Sequence, residues 1–365
     1  MTDYVGTGDY SHGQPSRAGI LLVNLGTPDA PTPAAVRRYL AEFLWDPRVI
    51  EMPRALWWLV LHGIILRIRP RRSAHAYSKV WTPEGSPLLV ESRKLAAALD
   101  ARLRSRHGDR VRVELAMTYG NPSIRDALER LRRGGVQRLL VLPMYPQYSS
   151  TTTASVFERV TAELGRWRWL PEFRMVNQYW DDDAYVNAIA HSVEAHWQSH
   201  GRKHLLFSFH SIPKRYFTAG DPYHCFCQAT ARRVSTRLGL ADGDWSLGFQ
   251  SRFGREEWLR PYLDELLHDY SHTGPRRVTV VCPGFATDCL ETLEEVAMQD
   301  RDLFLSHGGE AYDCVPCLNS SEAHVALYER IVASHAQGWP EFEGPADPAL
   351  AEASKRRALA LGAPA

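Results

Sequence analysis

A surplus of either charge is missing from this chain: 43 Lys and Arg stand against 42 Asp and Glu in 365 residues. That balance creates no global field and argues against nucleic acid as a partner. Long hydrophobic runs are also missing. The longest apolar stretch, Ala55 to Leu66, is too short to cross a bilayer. Met1 to Ala18 is polar and has no apolar core, so it does not read as a secretory signal. Cysteine is sparse, and six in a chain this long do not make a secreted disulfide scaffold. The expected location is the cytoplasm. No GxGxxG follows the first strand-like run and there is no Walker loop, so the usual nucleotide signals are absent.

What is present is alternation. Strand-like runs at 19–25, 112–117, 138–143, 173–177, 204–209, 245–250 and 277–282 are each followed by helical patterns. Those patterns lie at 34–44, 93–106, 124–133, 154–164, 183–200, 223–238, 257–269 and 290–306. Alternation of this kind predicts an α/β fold with parallel sheets covered on both faces, and ligands then bind outside the carboxyl ends of strands. The length predicts two domains. The expected division is a flexible 1–18, a first domain of 19–178 plus 321–336, a second of 179–320, and a disordered tail of 337–365 rich in Pro, Ala and charge.

Polar groups gather at those strand ends. After the run Val278 to Cys282 comes Pro283-Gly284-Phe285-Ala286-Thr287-Asp288-Cys289-Leu290-Glu291-Thr292-Leu293-Glu294-Glu295. On an α-helix, Asp288, Glu291 and Glu295 would share one face at i, i+3 and i+7. Carboxylates stacked that way repel unless a cation or a proton joins them. A second run, Phe207-Ser208-Phe209-His210, ends in a histidine. Alone, His210 reads as a satisfied core residue. The Ser/Thr-rich turn at 149–153 reads first as helix capping and second as an anion cradle. The 55–66 stretch, followed by Arg67, Arg69, Arg71 and Arg72, reads equally as a buried helix with a solvated basic end or as the lip of an apolar pocket at a membrane surface.

Six strings, taken in order, resemble the ferrochelatases, enzymes that insert ferrous iron into a porphyrin. They are Leu22-Val23-Asn24-Leu25-Gly26-Thr27-Pro28, Glu84-Gly85-Ser86-Pro87-Leu88, Pro143-Met144-Tyr145-Pro146-Gln147-Tyr148-Ser149, Ser208-Phe209-His210-Ser211-Ile212-Pro213, Gly220-Asp221-Pro222-Tyr223 and Asp288 to Glu294. The resemblance runs from about Gly19 to Val332. It implies two Rossmann-like, chelatase-like domains with a porphyrin cleft between them. It implies a lyase that makes haem b from protoporphyrin IX, with Fe²⁺ as substrate. His210 and Glu291 are the implied catalytic pair, and His210, Glu291, Asp288 and Glu295 the implied metal and proton path. Leu25, Tyr77, Ser86, Tyr119 and Trp258 are implied porphyrin contacts, with 55–66 as the lip. Partners implied are protoporphyrin IX, the inner-membrane surface through that lip, and the preceding or following protein of haem synthesis. A coproporphyrin-using relative, a non-catalytic porphyrin or metal binder on the same fold, and a cobalt chelatase remain as alternatives.

Departures from the family pattern are few. Cys289 stands where animal relatives carry His, and Thr118 where some relatives place Arg. Residues 149–151 hold no Cys, where animal relatives draw one ligand of a 2Fe-2S cluster. Cys225, Cys227, Cys314 and Cys317 form a CxC and a CxxC that are expected to hold an internal 2Fe-2S cluster, with zinc as the second reading and free thiols as the third.

Overall fold

Two parallel four-stranded sheets carry the chain. The first has the order β2-β1-β3-β4, from β1 (Arg17–Thr27), β2 (Val111–Gly120), β3 (Val136–Pro143) and β4 (Glu172–Met175). The second has the order β6-β5-β7-β8, from β5 (His204–His210), β6 (Trp245–Gln250), β7 (Arg277–Val281) and β8 (Ala311–Cys314). All pairings are parallel, as continuous apolar strands with helical crossovers require. The computed structural model describes residues 4–6, 12–254, 256–344 and 348–363.

Helix ends follow local chemistry. Ser86 caps Pro87–His107 by accepting from the Leu89 N–H, and Pro87 takes the first helical position where no N–H is needed. Asp182 and Ser321 cap Asp183–His200 and Glu322–His335 in the same way. One apolar cluster spans both sheets, with Ile20, Leu22 and Leu140 on one side and Leu205, Phe207 and Phe249 on the other. The helix Glu322–His335 belongs to that cluster and ties back to the first half through Arg102 and Glu322.

Gly26 shows why the Leu-Gly-Thr-Pro string is built as it is. Its φ is +115°, and a Cβ there would lie 1.8 Å from the Tyr119 carbonyl oxygen. Only glycine lets β1 and β2 stay paired while the chain turns toward the cleft. The segment 55–66 lies in a helix that runs Arg54–Val60, passes through a π-turn at Leu61–Ile65 and continues as Leu66–Val80. Trp57 and Leu61 are buried against the first domain, whereas Leu56, Trp58, Leu59, Ile64 and Ile68 are exposed. The helix is therefore half lip and half core. No described helix is long and apolar enough to cross a membrane.

The chain ends differently from the expectation of a disordered tail from 337. Trp339 is fully buried, Glu341 pairs with Arg138 at 2.7 Å, and a helix spans Pro348–Ala360. The expected flexible 1–18 includes residues 1–3 and 7–11, which lie outside the described residues, as do 345–347 and 364–365 of the tail. Val5 bridges to Trp167, and β1 begins at Arg17.

Candidate active site

The carboxyl end of β1 and the start of the acidic helix that follows β7 line a narrow cavity of about 280 Å³, open mouth included. Leu25, Tyr39, Tyr77, Ser86, Leu290 and Glu291 are among the residues that line it. Asn24 locks the two halves together here. Its amide donates to Ser92 at 3.0 Å and to Thr287 at 3.2 Å, which fixes the turn before the acidic helix. Thr118 donates to the Asn24 carbonyl at 3.1 Å, so this position is a buried support.

His210 ends β5 half-buried, with Nδ1 2.6 Å from the Ser211 carbonyl oxygen. A carbonyl can only accept, so Nδ1 carries a proton, and in the neutral ring Nε2 is the nitrogen with the lone pair. Glu295 lies close enough to feel both the His210 ring and Glu291, and it accepts from Ser251 at 2.5 Å. Burial pushes the Glu295 carboxyl above its ordinary range. Ser251 sits at φ +68°, a conformation that a side-chain-bearing residue adopts at a cost. The strain is spent at the point where the Ser251 hydroxyl meets Glu295.

The acidic helix is not an α-helix. Glu291–Asp300 has π geometry and continues as an α-helix at Arg301–Ser306. At about 4.4 residues per turn, positions 291, 295 and 300 fall on one face. Asp300 accordingly stands close to Glu295, and its Oδ2 is buried without a partner. Burial, Glu295 and Asp264 together push Asp300 up to about 8.

Asp288 is corrected by the same geometry. It precedes the helix, and its carboxylate accepts from Asn319 Nδ2 at 2.6 Å, Cys317 N at 3.2 Å and Thr292 Oγ1 at 3.2 Å. It braces the loop before the helix and does not share a face with Glu291 and Glu295.

Asp300 yields a pH prediction with a definite sign. The folded chain holds its proton to about pH 8, whereas an unfolded aspartate releases it near pH 4. The stability it contributes is therefore complete below about pH 4 and is lost as pH rises through 8. Asp300→Asn removes this dependence. In thermal melts the variant is expected to gain on the parent chain progressively from about pH 4 to pH 8 and then to keep a constant lead. A gap that stays constant across that range would refute the assignment.

Other expected contacts sit outside the cavity lining. The Tyr119 hydroxyl donates to Asp46 at 2.9 Å inside the packing beneath the lip. Trp258 is buried beside Pro213, and its indole donates to the Phe253 carbonyl at 3.0 Å. Tyr119 packs in the same cluster as the lining residues Leu25, Tyr39 and Tyr77. The Ser/Thr turn does bind an anion, but the anion is the protein's own: Asp221 accepts from Ser149 Oγ at 2.9 Å and from Ser150 N at 2.7 Å.

The four cysteines do not fit a cluster. Cys225 and Cys227 are two residues apart on the helix Tyr223–Arg237, so they point different ways, one exposed and one buried. Among the described residues no three His, Cys, Asp or Glu side chains stand where they could hold a metal ion. The expected group of His210, Asp288, Glu291 and Glu295 is likewise not gathered as one such set.

Tyr39 and Asp300 are residues that the sequence reading missed. Tyr39 looks like an ordinary core aromatic of the helix Pro33–Trp45. Asp300 falls on the wrong face of any α-helix drawn from Glu291, and no residue type in the sequence announces the π geometry.

Comparison with known proteins agrees with this arrangement. The family model described as Ferrochelatase matches residues 17–336. A ferrochelatase of Nitrosococcus oceani is 53% identical over 99% of this chain and 99% of its own length. One from Thioalkalivibrio sulfidiphilus is 53% identical over 98% of each. Among solved structures, SirB from Bacillus subtilis with Fe³⁺ matches at TM-score 0.53 and 12% identity, covering 88% of this chain and 96% of that one. DR2241 from Deinococcus radiodurans, whose structure is described as similar to chelatases, matches at TM-score 0.53 and 14% identity over 95% of this chain and 60% of that one. The solved structures show the shared fold. The family match and these two relatives each cover most or nearly all of the sequence, and the chain belongs to the ferrochelatase family.

Proposed function

We propose that this chain inserts ferrous iron into protoporphyrin IX and releases haem b. The observation that carries the reading is the His210 imidazole, tied at Nδ1 to the Ser211 carbonyl and free at Nε2, beside the carboxylates of a buried π-helix. A free porphyrin is planar, and two pyrrole N–H protons block its centre. Once opened and closed again on the substrate, a narrow apolar cleft favours a macrocycle bent toward one face, which brings nitrogen lone pairs closer to their arrangement at metal entry. His210 Nε2 then accepts pyrrole protons, a task for which a neutral imidazole is suited near neutral pH. Glu291 lines the cavity and meets the incoming metal, and Glu295 holds or passes a proton behind it. Carboxylates bind hydrated Fe²⁺ without gripping it as thiolates would, so the ion can be handed on.

Leu25, Tyr77 and Ser86 supply cavity contacts to the macrocycle. Much of the cavity's volume is its open mouth, and the enclosed part is far too small for a macrocycle, so entry of a porphyrin requires the lip helix to swing away. The π-turn at Leu61–Ile65 is the natural place for it to give. The exposed Leu56, Trp58, Leu59, Ile64 and Ile68 above Arg67, Arg71 and Arg72 suit contact with an anionic membrane surface, from which an apolar substrate could be drawn. No iron–sulfur centre enters this reading.

The test is an absorption assay on anaerobically purified protein with protoporphyrin IX and Fe²⁺. Catalytic conversion of porphyrin bands to haem bands is the expected result; tight binding without conversion would make the chain a carrier. Within that assay, Glu291→Gln should lower the insertion rate by about 100-fold or more and leave porphyrin affinity nearly unchanged. Equal loss of both would sink the role given to Glu291.

A further inference from the structure

The lip helix meets the acidic π-helix at points on either side of Glu291. Leu290, the residue before it, packs into the apolar cluster that holds Leu66, Ala74 and Tyr77 of the helix Leu66–Val80. Beyond Glu291, Glu294 Oε1 accepts from Lys79 Nζ at 2.7 Å, near the end of that same lip helix. Among the described residues this is the only ion pair between the two helices.

The partners are unequally placed. The Lys79 side chain is 41% exposed, whereas that of Glu294 is 5% exposed. The second Glu294 oxygen accepts from Gln299, further along the same π-helix. An exposed ion pair contributes little to stability. A carboxylate buried this far is different, because losing its cation leaves an uncompensated charge inside the protein. The pair therefore resists any parting of the two helices. It leaves the π-turn at Leu61–Ile65 as the place where the lip bends, while Leu66–Val80 stays with the acidic helix.

This attachment bears on the cavity. Tyr77 lies two residues before Lys79, Glu291 lies three before Glu294, and both Tyr77 and Glu291 line the cavity. A bent macrocycle pushes outward on the walls that bend it, so walls free to part would let it flatten. We propose that Lys79 and Glu294 are positioning residues, whose ion pair holds Tyr77 and Glu291 at their working spacing while the porphyrin is bent and the metal enters. Neither side chain lines the cavity, so both act through their neighbours. The clamp stands on geometry alone; its part in insertion rests on the ferrochelatase activity proposed above.

Three variants of the full chain test this: Lys79→Met, the double variant Lys79→Met with Glu294→Gln, and Lys79→Arg. Three quantities are measured on each: the urea midpoint, the porphyrin dissociation rate from recovery of fluorescence, and single-turnover insertion of Fe²⁺ from haem absorbance. Lys79→Met should lower the midpoint, release porphyrin several-fold faster and slow insertion by about tenfold, since small misplacements at a reacting centre are costly. The double variant removes the orphaned charge and should regain the midpoint, yet still release porphyrin fast and insert slowly. Lys79→Arg keeps the cation and should stay within a few-fold of the parent in all three. If the double variant regained parent dissociation and insertion together with the midpoint, the pair would be a structural support only and the proposal would fall. A parent chain that binds porphyrin but inserts no metal would instead fail the activity reading, and the dissociation rates would still decide the clamp.

Discussion

Replacing His210 by alanine is expected to lower kcat for iron insertion by about 100- to 10,000-fold, the range for loss of a positioned general base, while porphyrin binding stays within a few-fold of the parent. The split follows from where the side chain sits. His210 is absent from the residues that line the cavity wall, so removing it takes little from the surface that grips a macrocycle. It does remove an imidazole placed beside Glu295 at the strand end. Glu295 cannot replace it easily. Its carboxyl is raised by burial and already accepts the Ser251 hydroxyl, so its geometry is committed. Insertion followed by haem absorbance and binding followed by quenching of porphyrin fluorescence separate the two quantities. Parallel loss of both would mean that His210 holds the shape of the cleft and does not take protons. The split would also exclude a plain porphyrin carrier, which has no turnover to lose.

Most of the scaffold was legible because its signals are repeated. Seven strands were read from apolar runs, and β6 begins and ends as read. The eighth, Ala311–Cys314, is a four-residue edge strand in which Asp313 interrupts the apolar run. The helix read at 257–269 starts only at Leu263. Pro261 offers no N–H, and the residues before it pair with Ile212 and Pro213. At the site, strand-end residues such as His210 and Leu25 were legible because a parallel sheet presents its carboxyl ends to the ligand. Asp288 was misplaced because the helix was drawn from residue 288, whereas Asp288 lies in the loop before it, held by Asn319 and Cys317. Helix type depends on packing, such as Lys79 reaching Glu294 at 2.7 Å, and single residues do not announce it. The cysteine spacing misled for a related reason: two thiols near each other in sequence were placed on opposite sides of one helix.

The chain beyond the last residue of the family match carries the second large effect. That match stops at residue 336, and the composition after it argues for disorder. Composition averages over a segment, however, and here a single anchor decides. Trp339 is fully buried, and its indole donates to Glu172 at 2.7 Å, while the Arg174 guanidinium lies 4.7 Å from its ring centre. Arg174 also donates to the carbonyls of His335 and Gln337, and Arg110 donates to those of Pro340 and Glu341, both at 2.9 Å. The segment therefore packs against the side chains of β4, the edge strand of the first sheet. Trp339→Ala should cost about 3 to 5 kcal/mol, the usual loss for a fully buried tryptophan, read as a shift in the midpoint of urea unfolding. Deleting everything after residue 336 should cost more, because it also strips Arg138 of Glu341. A chain ending at 344 keeps all of these contacts and should unfold near the parent midpoint. If deletion after 336 left the midpoint unchanged, Trp339 would be an adherent surface group and the first domain would be complete without it.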